Sequence, residues 1–189
     1  MVPTPWLVAA IWGSWLLLTA TRGYAPADPA DVDQQATARS LQADLMVLVA
    51  LGGGAGAAAL GFAPFTVDPR LAIGLGAVLV ALGIVLRQWA ARTLGASFTR
   101  SVVVRANQPI VYDGPYRVVR HPAYAGDLLA ATGLGLTLGN WLSLGIIVVG
   151  FVIASVVRVV AEESALEGHP GASYRTYARG RKRLLPGIW

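Results

Sequence analysis

An all-α, polytopic membrane protein of about five transmembrane helices is the fold this sequence predicts, and three observations carry the prediction. Of 189 residues, 55% are hydrophobic and 13% charged, with a mean hydropathy of +0.57, whereas a soluble domain carries about 25% charged residues. Apolar runs of about 20 residues, enough to cross a bilayer, occupy residues 2–20, 41–65 and 71–91. A longer run, 124–160, is broken only at Gly139-Asn140, where it folds into a hairpin of two spans. Basic residues collect in two places: Arg92, Arg100, Arg105, Arg117 and Arg120 between the third and fourth spans, and Arg175, Arg179, Arg181, Lys182 and Arg183 in the tail. Basic loops stay in the cytoplasm, which places the N-terminus outside, Arg22 and Arg39 inside, and only Arg70 among the basic residues in an outer loop.

The first span has no basic region before it, and Thr19-Ala20-Thr21 is a poor cleavage site, so it reads as a retained helix and not a signal peptide. Residues 24–40, with Pro26, Pro29 and three aspartates, read as a solvated connection. Gly52-Gly53-Gly54, Gly56 and Gly61 in the second span and Gly74, Gly76 and Gly83 in the third allow close helix approach. A phosphate-binding glycine loop is the alternative, but no strand precedes these glycines and no Lys-Ser/Thr follows. Polarity rises after Ala91, giving a single domain over residues 1–189 with scaffold helices in 1–91 and the polar chemistry in 92–189. The absence of cysteine removes disulfides, thiolate metal sites and cysteine nucleophiles, and no metal site is expected. The net charge of +5 reports topology, so no nucleic-acid partner is expected.

Chemistry concentrates in three segments. In the run from Asp113 to Gly126, Asp-Gly-Pro marks a turn, and a residue before proline leaves the helical region. His121 therefore falls at the N-cap of the fourth span with Pro122 at its first position. The helix N-terminus there favours anions and, by the same field, a neutral imidazole. His121 as a plain cap, with the arginines anchoring lipid headgroups, is the competing reading. Asp127 reads as an acid favoured by the helix dipole. Near the end of the fifth span, Arg158 and Glu162 share a helix face in the weaker order for a local ion pair. Arg158 thus either lines a polar cavity or snorkels to the interface. In the tail, Tyr174, Arg175, Tyr177 and Arg179 alternate at helical spacing, as in an interfacial amphipathic helix.

Together these blocks resemble the isoprenylcysteine carboxyl methyltransferases and their prokaryotic relatives, which share a C-terminal core with phospholipid methyltransferases. The resemblance rests on Gly114-Pro115-Tyr116 through Arg120-His121-Pro122-Ala123-Tyr124, on Arg158 with Glu162-Glu163, and on Gly171-x-x-Tyr174-x-x-Tyr177 with the ending Arg183 to Trp189. It covers residues 95–189, about half of the chain. It implies an S-adenosylmethionine-dependent enzyme of the inner-membrane, multi-pass type that releases S-adenosylhomocysteine. The cofactor pocket would lie at the cytoplasmic face, under a folded-back tail. By the same resemblance Gln108, Pro109, Ile110, Val111, Tyr116, His121, Pro122, Ala123, Tyr124 and Glu162 bind the cofactor. Arg158 binds the substrate carboxylate, so that Arg158 and Glu162 form the catalytic pair. Two positions depart from the family: Gln108 stands where histidine is common, and Val103 stands where Glu or Gln is usual and cannot make that polar contact.

The implied reaction is methyl esterification of a lipophilic or prenylated acceptor that arrives from the surrounding membrane lipids. A carboxylate is already a nucleophile, so alignment and exclusion of water suffice. Three other readings stay open at this stage: a phospholipid methyltransferase, an NADPH-dependent sterol-type reductase with a similar Arg-His-Pro-x-Tyr block, and a non-enzymatic membrane scaffold.

Overall fold

Six α-helices account for the regular structure of the computed structural model, which describes residues 5–20, 29–61, 63–99, 102, 110–168, 172–185, 187 and 189. They are α1 (Pro5–Ala20), α2 (Gln34–Ala59), α3 (Pro69–Leu94), α4 (Pro122–Thr137), α5 (Trp141–Gly168) and α6 (Ala172–Arg179), with short 3-10 turns at Pro29–Asp31, Gly95–Ser97 and Gly114–Arg117. Three segments, Gln34–Ala59, Pro69–Ser97 and Trp141–Gly168, are long and apolar enough to cross a membrane. Helices α1 and α4 have only 16 residues each, and of these two α1 is the more apolar.

The solvated connection expected up to Ser40 ends sooner, because α2 begins at Gln34. Asp33 starts it: its carboxylate accepts the Ala36 amide at 2.9 Å and its carbonyl the Thr37 amide at 2.9 Å. That is an N-cap, a sequence signal hidden here among other polar residues. The hairpin predicted at Gly139-Asn140 is present. Gly139 takes φ +66°, a left-handed conformation that glycine adopts without penalty. Asn140 then caps α5, accepting the Ser143 amide at 2.9 Å and the Ser143 hydroxyl at 3.1 Å.

Packing divides the chain into two units. The first comprises Met1–Arg22, Leu45–Val85 and Gly126–Ile153. Its core joins Trp15, Leu51, Val80, Leu134, Ile147 and Phe151, with Trp15 edge-on to Phe151 at 6.0 Å between ring centres. Trp12 donates its indole N–H to the Thr137 hydroxyl at 3.1 Å. The small residues read as helix contacts act selectively. A Cβ on Gly76 would lie 2.6 Å from the Gly133 carbonyl oxygen, and one on Gly83 would lie 2.6 Å from the Ala130 nitrogen, whereas Gly52, Gly56 and Gly74 face open space.

The second unit comprises Gly23–Asp44, Leu86–Ala125 and Ala154–Trp189, and holds most of the polar side chains described below. Backbone bonds organise its irregular parts: Arg120 N–H donates to the Lys182 carbonyl at 2.8 Å, His121 N–H to the Arg183 carbonyl at 2.9 Å, and Asp33 N–H to the Val102 carbonyl at 2.9 Å. Its apolar contacts fall in two clusters, Ala36 with Val102 and Ala161, and Ala90 with Tyr116 and Ala123.

Gly76→Ala therefore destabilises the chain by about 1–3 kcal/mol, since backbone and not a flexible side chain must give way. Gly74→Ala, at an open helical site, is neutral or slightly stabilising. Thermal unfolding of the two variants in detergent reads the difference.

Candidate functional site

A cavity of about 150 Å³ lies within the second unit. Of the residues marked from the sequence, Ile110, Val111, Tyr116, His121, Ala123, Tyr124, Arg158 and Glu162 line it. Pro122 does not: it is buried at the first position of α4 and serves the helix start. Gln108, Pro109 and Val103 lie outside the described residues.

His121 precedes α4 as the spacing predicted, and its carbonyl accepts the Ala125 amide at 3.2 Å. Its ring does not cap the helix. Nδ1 lies 3.5 Å from a Glu162 oxygen and Nε2 lies 3.2 Å from a Glu163 oxygen, with the residue only 8% exposed. This corrects the expectation of a neutral imidazole. Burial alone would lower the imidazole pKa, but hydrogen bonds to Glu162 and Glu163 and their negative charges raise it above its ordinary value. Two carboxylates at opposite ring nitrogens favour an imidazolium donating twice, and they outweigh the field of the helix end.

Glu163 is the residue that sequence reasoning passed over. It is 4% exposed, and one of its oxygens accepts from Arg120 Nη1 at 2.7 Å, from His121 and from the Tyr174 hydroxyl at 3.3 Å. Its other oxygen accepts from Arg183 Nε at 2.8 Å, with Arg183 Nη2 also at 2.8 Å. A buried carboxylate is tolerated when charge and hydrogen bonds compensate it in this way. The available signal was the second acid of Glu162-Glu163, on a helix otherwise nearly free of charge.

Glu162 turns to the cavity, where the Tyr124 hydroxyl donates to it. Arg158, one turn earlier on α5, places Nε 3.8 Å from Glu162, and its guanidinium lies 5.4 Å from the centre of the Tyr124 ring. Its Nη1 donates to Asp44 of α2 at 2.9 Å, a partner distant in sequence that no local pattern pointed to. Arg87 of α3, 6% exposed, also lines the cavity and lies over the Phe98 ring at 5.6 Å. The reasoning that singled out Arg158, a charge inside an apolar run, applied equally to Arg87. Two tyrosines of α6 complete the lining. Burial pushes the Tyr177 hydroxyl up to about 12, so it stays protonated and donates to the Tyr116 carbonyl at 3.0 Å. Burial likewise raises Tyr174 and Tyr116. Arg181 packs over Tyr177 at 4.6 Å and over Tyr112 at 5.5 Å.

The cavity thus offers a carboxylate, three arginines, protonated phenols and an apolar wall formed by Leu94, Val102, Ile110 and Val111. Such a site binds a ligand with both charges and a flat apolar part.

The sequence profile of the phospholipid methyltransferase family matches residues 71–171, and the chain belongs to that family. It is 33% identical over 126 residues to the protein-S-isoprenylcysteine O-methyltransferase of Schizosaccharomyces pombe, covering 66% of this chain and 50% of that one. It is 32% identical over 106 residues to protein-S-isoprenylcysteine O-methyltransferase B of Arabidopsis thaliana, covering 55% and 54%. A bacterial relative, the uncharacterized protein YpbQ of Bacillus subtilis, is 30% identical over 95 residues, covering 50% and 56%. The chain spans about half the length of these curated relatives. Its fold is similar to that of a eukaryotic intramembrane Ras methyltransferase, isoprenylcysteine carboxyl methyltransferase. There the TM-score is 0.60 at 20% identity, over 96% of this chain and 68% of that one. Family membership and the three long apolar helices among the described residues make this a membrane protein of that family.

Two outcomes follow from the network. Glu163→Gln leaves Arg120 and Arg183 without their counter-charge and lowers stability by about 3 kcal/mol, whereas Tyr174→Phe, losing one long hydrogen bond, costs under about 1 kcal/mol. Chemical unfolding in detergent distinguishes them. Because the folded pKa of His121 lies above its unfolded value near 6.5, its contribution is complete below that pH and is lost as the pH rises through the folded value. The melting temperature therefore falls with rising pH above about 6.5, and His121→Gln gives a lower but flatter profile.

Proposed function

We propose that this chain is an integral-membrane, S-adenosylmethionine-dependent carboxyl methyltransferase that esterifies a lipophilic acceptor such as a prenylated cysteine. The observation that carries the proposal is the placement of Arg158 and Glu162 side by side on one cavity wall, with Tyr124 bridging between them. The names of the curated relatives support the same reaction.

The lining fits the donor. Glu162 offers a carboxylate to its cationic or hydroxyl groups, Arg87 and Arg120 offer guanidinium groups to its carboxylate, and Phe98, Tyr116 and Val111 offer a flat apolar wall to its purine. His121, Ala123, Tyr124 and Ile110 belong to the same donor surface, and Gln108 and Pro109 continue it in sequence. S-adenosylmethionine supplies a sulfonium-bound methyl group to an anionic nucleophile. Arg158 holds the acceptor carboxylate by charge-assisted hydrogen bonds. The apolar wall keeps water away from both partners, and no general base is needed because the nucleophile is already ionised.

In this reading α1 and α4 join α2, α3 and α5 as five spans, which makes the protein a multi-pass inner-membrane enzyme of one catalytic domain. At 1.5 Å per residue the two short helices reach about 24 Å. The basic segments then face the cytoplasm, α6 and the residues after it cover the pocket, and the acceptor's lipid arrives from the bilayer. The family description favours a second reading, methylation of a phospholipid amine. Arg158 and Arg87 oppose a cationic acceptor, and an amine must also lose a proton.

The purified chain, incubated with methyl-labelled S-adenosylmethionine and S-farnesyl-N-acetylcysteine, is expected to form a base-labile methyl ester. A base-stable N-methyl product on added phosphatidylethanolamine would support the second reading instead. Arg158→Ala is expected to lower kcat/KM by about a hundredfold, in line with truncation of a buried charge partner, while keeping donor binding by calorimetry. Glu162→Gln is expected to weaken donor binding. Full activity of Arg158→Ala, or no donor binding by the wild-type chain, overturns the proposal.

A further inference from the structure

Arg158 is already engaged before any acceptor reaches it. Asp44 Oδ1 sits 2.9 Å from Nη1, and Glu162 lies 3.8 Å from Nε. One positive charge is thus flanked by two negative charges. A third carboxylate approaching Arg158 must compete with Asp44 for the same guanidinium, close to a like charge that is only partly screened there. Exchange avoids this: if the incoming carboxylate takes the place of one that leaves, the count of charges around Arg158 is unchanged.

The two resident carboxylates differ in their freedom to leave. Glu162 lines the cavity, its side chain is 25% exposed, and Tyr124 and His121 hold it. Asp44 has a side chain 42% exposed and does not line the cavity. Asp44 has no partner of this kind in the cavity wall, whereas Glu162 would forfeit Tyr124 and His121. Asp44 is therefore the carboxylate that can be exchanged.

We infer that Asp44 is an internal surrogate for the acceptor carboxylate, displaced from Arg158 when the acceptor binds and returning when the acceptor has become a neutral ester. The inference rests on the carboxyl methyltransferase reading above and names a specificity and release device within it. An anionic acceptor matches the charge of Asp44 and can replace it. A neutral ester cannot, so Asp44 retakes the guanidinium and the product loses its hold. Asp44 acts through Arg158 and is a positioning residue.

The test compares the full-length wild-type chain with Asp44→Asn, which keeps the shape and one acceptor oxygen but removes the charge. The probes are S-farnesyl-N-acetylcysteine and its methyl ester, in nanodiscs of phosphatidylcholine. A partly exposed ion pair predicts that KM for the acid falls by about two- to fivefold in the variant. Product inhibition by the ester should strengthen by a similar factor, while KM for S-adenosylmethionine is unchanged. If Asp44 instead only orients Arg158, the variant's KM for the acid rises and kcat falls, which overturns the inference. Direct binding of the acid and the ester, measured by calorimetry without the donor, separates this inference from the function it rests on. If the wild-type chain does not methylate the acid, the acceptor assignment fails. Tighter binding of the acid by Asp44→Asn would still support exchange at Arg158, and equal or weaker binding would overturn it. A variant that unfolds is replaced by Asp44→Ser, judged by the same binding ratio.

Discussion

The polar half of this protein depends on one carboxylate. Glu163 gathers Arg120 and His121 from the segment before α4, Tyr174 from α6 and Arg183 from the tail. Each of these segments has little regular structure to hold it, and α6 has only eight residues. Two guanidinium groups and an imidazolium cannot be buried together without an anion, and the anion cannot be buried without them. The same mutual need draws residues 119–121 and 182–183 into backbone pairing.

That anchor also sets the cavity. Successive residues on an α-helix point about 100° apart, so holding Glu163 towards the network turns Glu162 to the cavity, where Tyr124 and His121 meet it. His121 touches both acids, which couples the structural cluster to the cavity wall through a single imidazole ring. Arg158, one turn back, falls on the Glu162 side and not on the Glu163 side. A pair of adjacent acids on one helix thus divides: one neutralises the buried cations, and the other faces the cavity.

The apolar unit rests on different physics. With lipid outside and apolar side chains inside, burial of oily surface gives little preference for one helix contact over another, and close approach decides. Gly76 against Gly133 and Gly83 against Ala130 permit that approach. Gly54 also packs closely, against Ile147, whereas Gly52, Gly56 and Gly74 meet nothing, so composition overstated how many of them take part. Trp12 on Thr137 adds a single polar contact of defined geometry.

By itself the sequence determined the helical class, the membrane setting, the break at Gly139-Asn140 and the start of α4 at Pro122, because these follow from local composition, turn chemistry and the missing proline donor. Its charge pattern singled out His121, Arg158 and Glu162, and its resemblance to a known family added Tyr116 and Tyr124, so that most of the cavity wall was marked. It could not show that Asp33 starts α2, because one capping aspartate among polar neighbours looks like loop. It could not show the charge on His121 either. Local reasoning sees the helix end and expects a neutral ring, whereas the two acids lie 41 and 42 positions away in the chain. Only the tertiary structure showed the surroundings of Glu163, Asp44 and Arg87. A charge buried in a low-dielectric place is defined by its partners, and partners brought together across the chain leave no periodic trace in it.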